Sequence, residues 1–155
     1  MKKIILLLMV CWISIDLFSQ SEKQIETAKD TEFSCLTVGV LQGGGSLVGI
    51  DFEALITDRI GLQAGVGFVG FGAGINYHFK PSIRSSFVSL QYWNQGLGET
   101  FTQNVLGVNY VFRGKKWLTF QIGLGRTLSK GPAFPENIEQ SPVILMYSIG
   151  AYFTQ

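Results

Sequence analysis

The sequence predicts an all-β chain that closes as an antiparallel up-and-down transmembrane β-barrel of about eight strands. Three observations lead there. From Phe33 onward apolar residues recur with a period of two, the repeat of a strand and not the 3.6 of a helix. Charged residues are only 15% of the 155 and aromatics are 13%, with 19 glycines, where a soluble domain carries about 25% charge. No apolar run after the N-terminal segment approaches the ~20 residues of a membrane helix. A chain this apolar then has one other way to satisfy its backbone in lipid, which is a closed barrel.

The N-terminus is read separately. Lys2 and Lys3 precede an apolar stretch, residues 4–18, broken only by Ser14 and Asp16, and the chain turns polar after Ser19, Gln20 and Ser21. That layout is a secretory signal peptide. Three segments are expected: a signal at 1–19, a polar periplasmic lead-in at 20–32 and a barrel at 33–155. Export removes Cys11 and leaves Cys35 alone, so no intrachain disulfide is expected. One remaining Cys and one His cannot assemble a metal-ligand cluster. The net charge of +1 makes no case for nucleic acid.

The alternation holds strand by strand. Leu36, Val38 and Val40 oppose Cys35, Thr37 and Gly39; Val48, Ile50, Phe52 and Ala54 oppose Gly49, Asp51 and Glu53. Leu62, Ala64, Val66 and Phe68 oppose Gly61, Gln63, Gly65 and Gly67; Phe71, Ala73, Ile75, Tyr77 and Phe79 oppose Gly72, Gly74, Asn76 and His78. In the second half Val88, Leu90 and Tyr92 oppose Ser89, Gln91 and Trp93, and Leu106, Val108, Tyr110 and Phe112 oppose Gly107, Asn109 and Val111. Leu118, Phe120, Ile122 and Leu124 oppose Thr119, Gln121, Gly123 and Gly125. The last strand sets Val143, Leu145, Tyr147, Ile149, Ala151 and Phe153 against Met146, Ser148, Gly150 and Tyr152.

Alternation alone fits a soluble barrel too. The chemistry of the polar face decides. It holds Gly, Ser, Thr, Asn and Gln in place of the Lys and Glu of a wet surface, which suits a cramped interior. The apolar face is therefore assigned to lipid. An arginine at Phe120 should then cost more than one at Gln121. Compact charged turns are expected at Thr57, Asp58 and Arg59, at 80–84, and at Gly114, Lys115 and Lys116, all at the periplasmic end. The connections at Gly43–Gly45, Val69–Gly70, 94–100 and 129–140 would face outside. Two aromatic girdles are expected, Tyr77, Phe79, Tyr110, Phe112, Trp117 and Phe153 at one end, Phe68, Phe71, Tyr92, Trp93 and Phe101 at the other.

Few residues could carry chemistry. Gly65 to Gly70 spells G-x-G-x-x-G, yet period-two sequence follows where a dinucleotide site needs a helix. Gly43, Gly44, Gly45 and Ser46 lack the lysine of a phosphate loop and read as a flexible turn. Asp51 and Glu53 are the carboxylates on an inward strand face, and His78 is the single histidine. Unpaired buried charge is costly, so these should be paired. The expected lumen network comprises Asp51, Glu53, Gln63, Asn76, His78, Gln91, Asn109 and Gln121. Glu53 and His78 should meet within it, joined by Arg84 or Arg113.

The closing strand carries a resemblance. Leu145, Tyr147, Ile149, Ala151 and Phe153 alternate up to a near-terminal aromatic, with Thr154 and Gln155 after it. With the signal and the strand pattern, residues 33–153 resemble the small eight-stranded bacterial outer-membrane β-barrel families. The resemblance implies a monomer in the outer membrane of a Gram-negative bacterium. Its partners would be outer-membrane lipid and the barrel-assembly machinery, reached through the strand ending at Phe153. Some such barrels modify lipid A acyl chains with a His and a Ser near the outer leaflet. His78 falls at the other end, so no catalysis and no cofactor is expected. The expected function is a structural or surface-interaction barrel with a closed lumen. The alternatives are a small porin-like pore or transport accessory, or a soluble secreted barrel for a lipophilic ligand.

Overall fold

In the computed structural model the described residues are 32–155, apart from Ile138 and Gln140. The expected signal and nearly all of the expected lead-in lie outside them. Eight strands form one closed barrel in chain order. They are β1 (Ser34–Val40), β2 (Val48–Leu55), β3 (Ile60–Gly67), β4 (Gly70–His78), β5 (Phe87–Gln95), β6 (Gln103–Arg113), β7 (Leu118–Lys130) and β8 (Val143–Thr154). Each pairs antiparallel with its neighbour. β1 closes the ring against β8, with Leu36 opposite Phe153 and Val40 opposite Ile149.

Every strand keeps the parity its sequence predicts. Ile50, Phe52, Leu62, Ile75, Val108, Ile122, Leu145 and Ile149 are exposed on the outer surface, while Asp51, Glu53, Asn76, Ser89, Gln91, Asn109, Gln121 and Ser148 are buried within. The exposed apolar positions of β8 run from Val143 to Phe153. At ~3.4 Å per residue and ~40° of tilt, that stretch stands about 26 Å along the barrel axis. Phe71 and Tyr92 rings lie 6.4 Å apart near one end of the belt, and Phe79 and Tyr110 rings 6.1 Å apart near the other.

The structure moves several boundaries. The third hairpin turns at Phe68 and Val69, with Gly67 paired to Gly70, so Gly70 opens β4 and does not belong to the turn. β6 and β7 extend beyond their regular alternation to Gln103 and Lys130, because a register shift at Asn104/Val105 absorbs the break in parity. Along this extension Asn94, Asn104 and Ser129 form a hydrogen-bonded polar ladder (2.8 and 2.9 Å). Trp93, expected in a girdle, is 7% exposed and points inward, where it packs with Val105 and Met146. Its parity with Ser89 and Gln91 demands this.

The connection between β1 and β2 differs most from expectation. Gln42, Gly43, Gly44 and Ser46 are buried. Gly43 lies against the β3 backbone at Val66, Gly44 against the β4 backbone at Phe71, and Gly45 against the Trp93 and Gln95 side chains of β5. The segment therefore crosses the inner wall from β2 to β5 as an internal plug, where the sequence suggested a flexible external turn. Gly43, Gly44 and Gly45 all have positive φ (62°, 82° and 79°), open to glycine at little cost. The wall beneath is also glycine: a methyl at Gly72 would stand 3.2 Å from Gly44. Two glycine surfaces meet because only bare backbone fits twice inside so narrow a ring.

Candidate functional site

The lumen collects the polar side chains of the molecule, and it is organised in layers. At the mouth opposite the start of β1 sits the plug. The Gly43 N–H donates to Asp51 Oδ2 at 3.2 Å, and the Ser46 hydroxyl donates to the Gly43 carbonyl at 3.2 Å. Asp51 thus holds the plug down.

The middle layer is an amide relay. Gln91 and Gln121 exchange two hydrogen bonds across the lumen, at 3.2 and 3.0 Å. Gln63 Oε1 accepts from Asn76 at 3.1 Å and from Gln91 at 3.4 Å. The Ser89 hydroxyl donates to the Asn76 carbonyl oxygen, and the Trp93 indole N–H donates to Gln91 Oε1 at 3.0 Å. Asn109 also faces inward at 1% exposure, but neither of its amide atoms has a hydrogen-bond partner among the described residues. Glycine at Gly123 opposite gives it room and no partner.

Towards the end where β1 begins and β8 finishes, Glu53 becomes a hub. Its Oε1 accepts from Asn76 at 2.5 Å and faces His78 Nε2 at 2.9 Å. A carboxylate only accepts, so that ring nitrogen carries the proton. Its Oε2 accepts from Arg113 Nη2 at 2.5 Å and lies 3.8 Å from Cys35 Sγ. Arg113 reaches Cys35 as well, at 2.8 Å, donates to the Ile83 carbonyl, and stacks its guanidinium between the Phe87 and Tyr152 rings (4.9 and 5.0 Å). The cluster is sealed. Ile83, Phe87 and Tyr152 are at most 2% exposed, and the β4–β5 connection folds Ser82, Ile83 and Ser85 beneath it.

Of the two arginines considered from sequence, Arg113 joins Glu53 and Arg84 does not. Arg84 pairs with Glu32 at 2.7 and 2.9 Å and with Thr154 at 2.6 Å, tying the segment before β1 and the end of β8 to the β4–β5 connection. Its guanidinium holds the Glu32 carboxyl below the usual carboxylate range. Sequence reasoning missed Cys35 and Tyr152 as members of the hub. Both carry inward parity in β1 and β8, so the signal was present.

The lumen leaves little room. The void between Asp51, Glu53, Gln63, Arg113 and Gln121 is about 10 Å³, the space of a single water. A second cavity of about 330 Å³ opens at the plug's mouth of the barrel, between the plug, the β3–β4 turn and the β5–β6 connection, lined by Ser46, Leu47, Val69, Gln95, Thr100 and Thr102. The hub's groups are almost fully buried, and their contacts cross-link β1, β2, β4, β6 and β8. Comparison with protein-family models, with curated proteins and with solved structures finds no match to this chain.

Proposed function

We propose that this chain is a non-enzymatic outer-membrane β-barrel with a closed lumen and a structural or surface-interaction role. One observation carries the reading. The outer surface of the strands is a continuous apolar belt about 26 Å tall, while the interior is polar, hydrogen-bonded and packed. In water that arrangement is inverted, since a soluble barrel would bury Phe52, Phe120 and Ile149 and expose Glu53 and Gln91. In lipid it is the low-energy one.

The lumen speaks against the pore reading, because the plug fills one mouth and the Glu53–Arg113 hub fills the other. The proposal includes export by the N-terminal signal, insertion as a monomer, and recognition by the assembly machinery through β8. That strand ends at Thr154 with Phe153 outward, and it closes the ring against β1. The test is fractionation of cells expressing the full chain. The expected result is recovery in the outer-membrane fraction as a band whose gel mobility changes on boiling, with no steady conductance in planar bilayers. Recovery as a soluble exported protein would overturn it.

A further inference from the structure

The connections at the end where β1 begins and β8 finishes share a chemistry that the opposite end lacks. Each joins a cation to an outward apolar side chain next to it in sequence: Arg59 with Ile60, Phe79 with Lys80, Lys116 with Trp117. The apolar partners are exposed at 37%, 48% and 55%. Arg59 and Lys116 are exposed, and Lys80 is half-buried. Lys115 adds a further positive charge, while Asp58 is the one acid in these turns besides the Glu32 already paired with Arg84. At the other end Arg126 and Lys130 are balanced by Glu99, Glu136 and Glu139, and the turn residues Phe68 and Val69 carry no charge.

We propose that this rim binds anionic phospholipid headgroups, each turn holding one amphiphile with its phosphate on the cation and its acyl chains along the neighbouring ring or aliphatic side chain. The inference rests on the membrane reading above and goes beyond it by naming the lipid class. The argument is one of complementarity. The apolar belt ends at Ile60, Phe79, Trp117 and Phe153, so the cations stand at the level where headgroups begin. A basic group near an anionic bilayer surface attracts acidic lipid about fivefold over neutral lipid, and salt screens the effect. Three such sites repeated around one rim would enrich acidic lipid there, while the opposite rim, with its mixed charges, would not.

Trp117 supplies the reporter. The test uses the protein purified from membranes in detergent and reconstituted into vesicles of phosphatidylcholine containing brominated phosphatidylglycerol or brominated phosphatidylcholine. Bromine quenches tryptophan on contact. Trp93 is shut in the lumen, and a Trp117→Phe control identifies the rim contribution. The expected result is about fivefold tighter association of the acidic lipid, abolished by 0.5 M salt (a Debye length of about 4 Å) and in the K115Q/K116Q double variant. Equal quenching by both lipids would overturn the proposal and leave the membrane reading intact. Selectivity that survives in the double variant would place acidic lipid elsewhere and also overturn it. Quenching by neither lipid would mean that the rim never meets a bilayer, and the membrane reading would fall with the proposal.

Discussion

Arg113 is the side chain on which the sealed end of the barrel depends. Its guanidinium meets Glu53 at 2.5 Å with both groups at most 3% exposed, and it is sandwiched between Phe87 and Tyr152. Arg113→Met keeps most of the stem and removes the charge. Glu53 is then a buried carboxylate left with Asn76 and His78, and breaking one side of a buried ion pair costs about 3–5 kcal/mol. Glu53→Gln should cost a similar amount, because Arg113 becomes the stranded charge. The double variant has no stranded charge, so its cost should fall short of the sum by about 2–3 kcal/mol. The assay is urea titration of the reconstituted barrel, with the folded fraction read from gel mobility without boiling. A single variant costing less than about 1 kcal/mol would refute the argument. So would two costs that simply add.

Three further outcomes follow from the geometry. Phe120→Arg on the outer face should cost about 2–4 kcal/mol if that face meets lipid, and Phe120→Leu should be close to neutral. In a soluble barrel the arginine would be harmless, and the same urea titration tells the cases apart. Gln121 exchanges two hydrogen bonds with Gln91 beside a void of about 10 Å³, so Gln121→Arg is not a neutral control for the outer face. Gly44→Ala forces a side chain into positive φ and against the Phe71 backbone, costing about 2–4 kcal/mol; full tolerance would mean the plug lies outside the lumen. Arg84 depresses the Glu32 pKa in the folded state, so this pair stabilises above the usual carboxylate value of 4.5 and loses its contribution as pH falls through the lower folded value. Both groups are about a third exposed, which limits the effect to about 0.2–1 kcal/mol. Glu32→Gln should flatten that part of the pH–stability curve, and an unchanged curve would remove the pair from the account.

The strands and their faces were legible because alternate residues face opposite sides of the wall: outward ones are apolar, and inward ones are mostly small or polar, with Phe87, Trp93, Val105, Met146 and Tyr152 as large exceptions. Glu53, His78 and Asn76 met in the lumen because parity and distance from their turns brought them to one level. The plug was not legible. Gly43, Gly44 and Gly45 have no period, and a glycine run reads the same whether it dangles outside or folds inward. What could have exposed it is the glycine on the facing wall, at Gly49, Gly65, Gly67 and Gly72, which is more room than side chains alone would need. The β3–β4 turn was expected one residue late, at Val69–Gly70, because Phe68 continues the apolar alternation of β3. Arg113 could not be chosen over Arg84 from spacing, since only the inward parity of the last residue of β6 separates them.

The central claim is that the apolar face meets lipid, and the most direct measurement is folding with and without an amphiphile. The full chain is diluted from urea into buffer alone, and in parallel into detergent micelles above their critical concentration. Strand content is followed by circular dichroism and closure by gel mobility before and after boiling. The account predicts a closed, heat-modifiable barrel only in micelles, with aggregation in buffer. A monomer that folds cooperatively in buffer without amphiphile would contradict it.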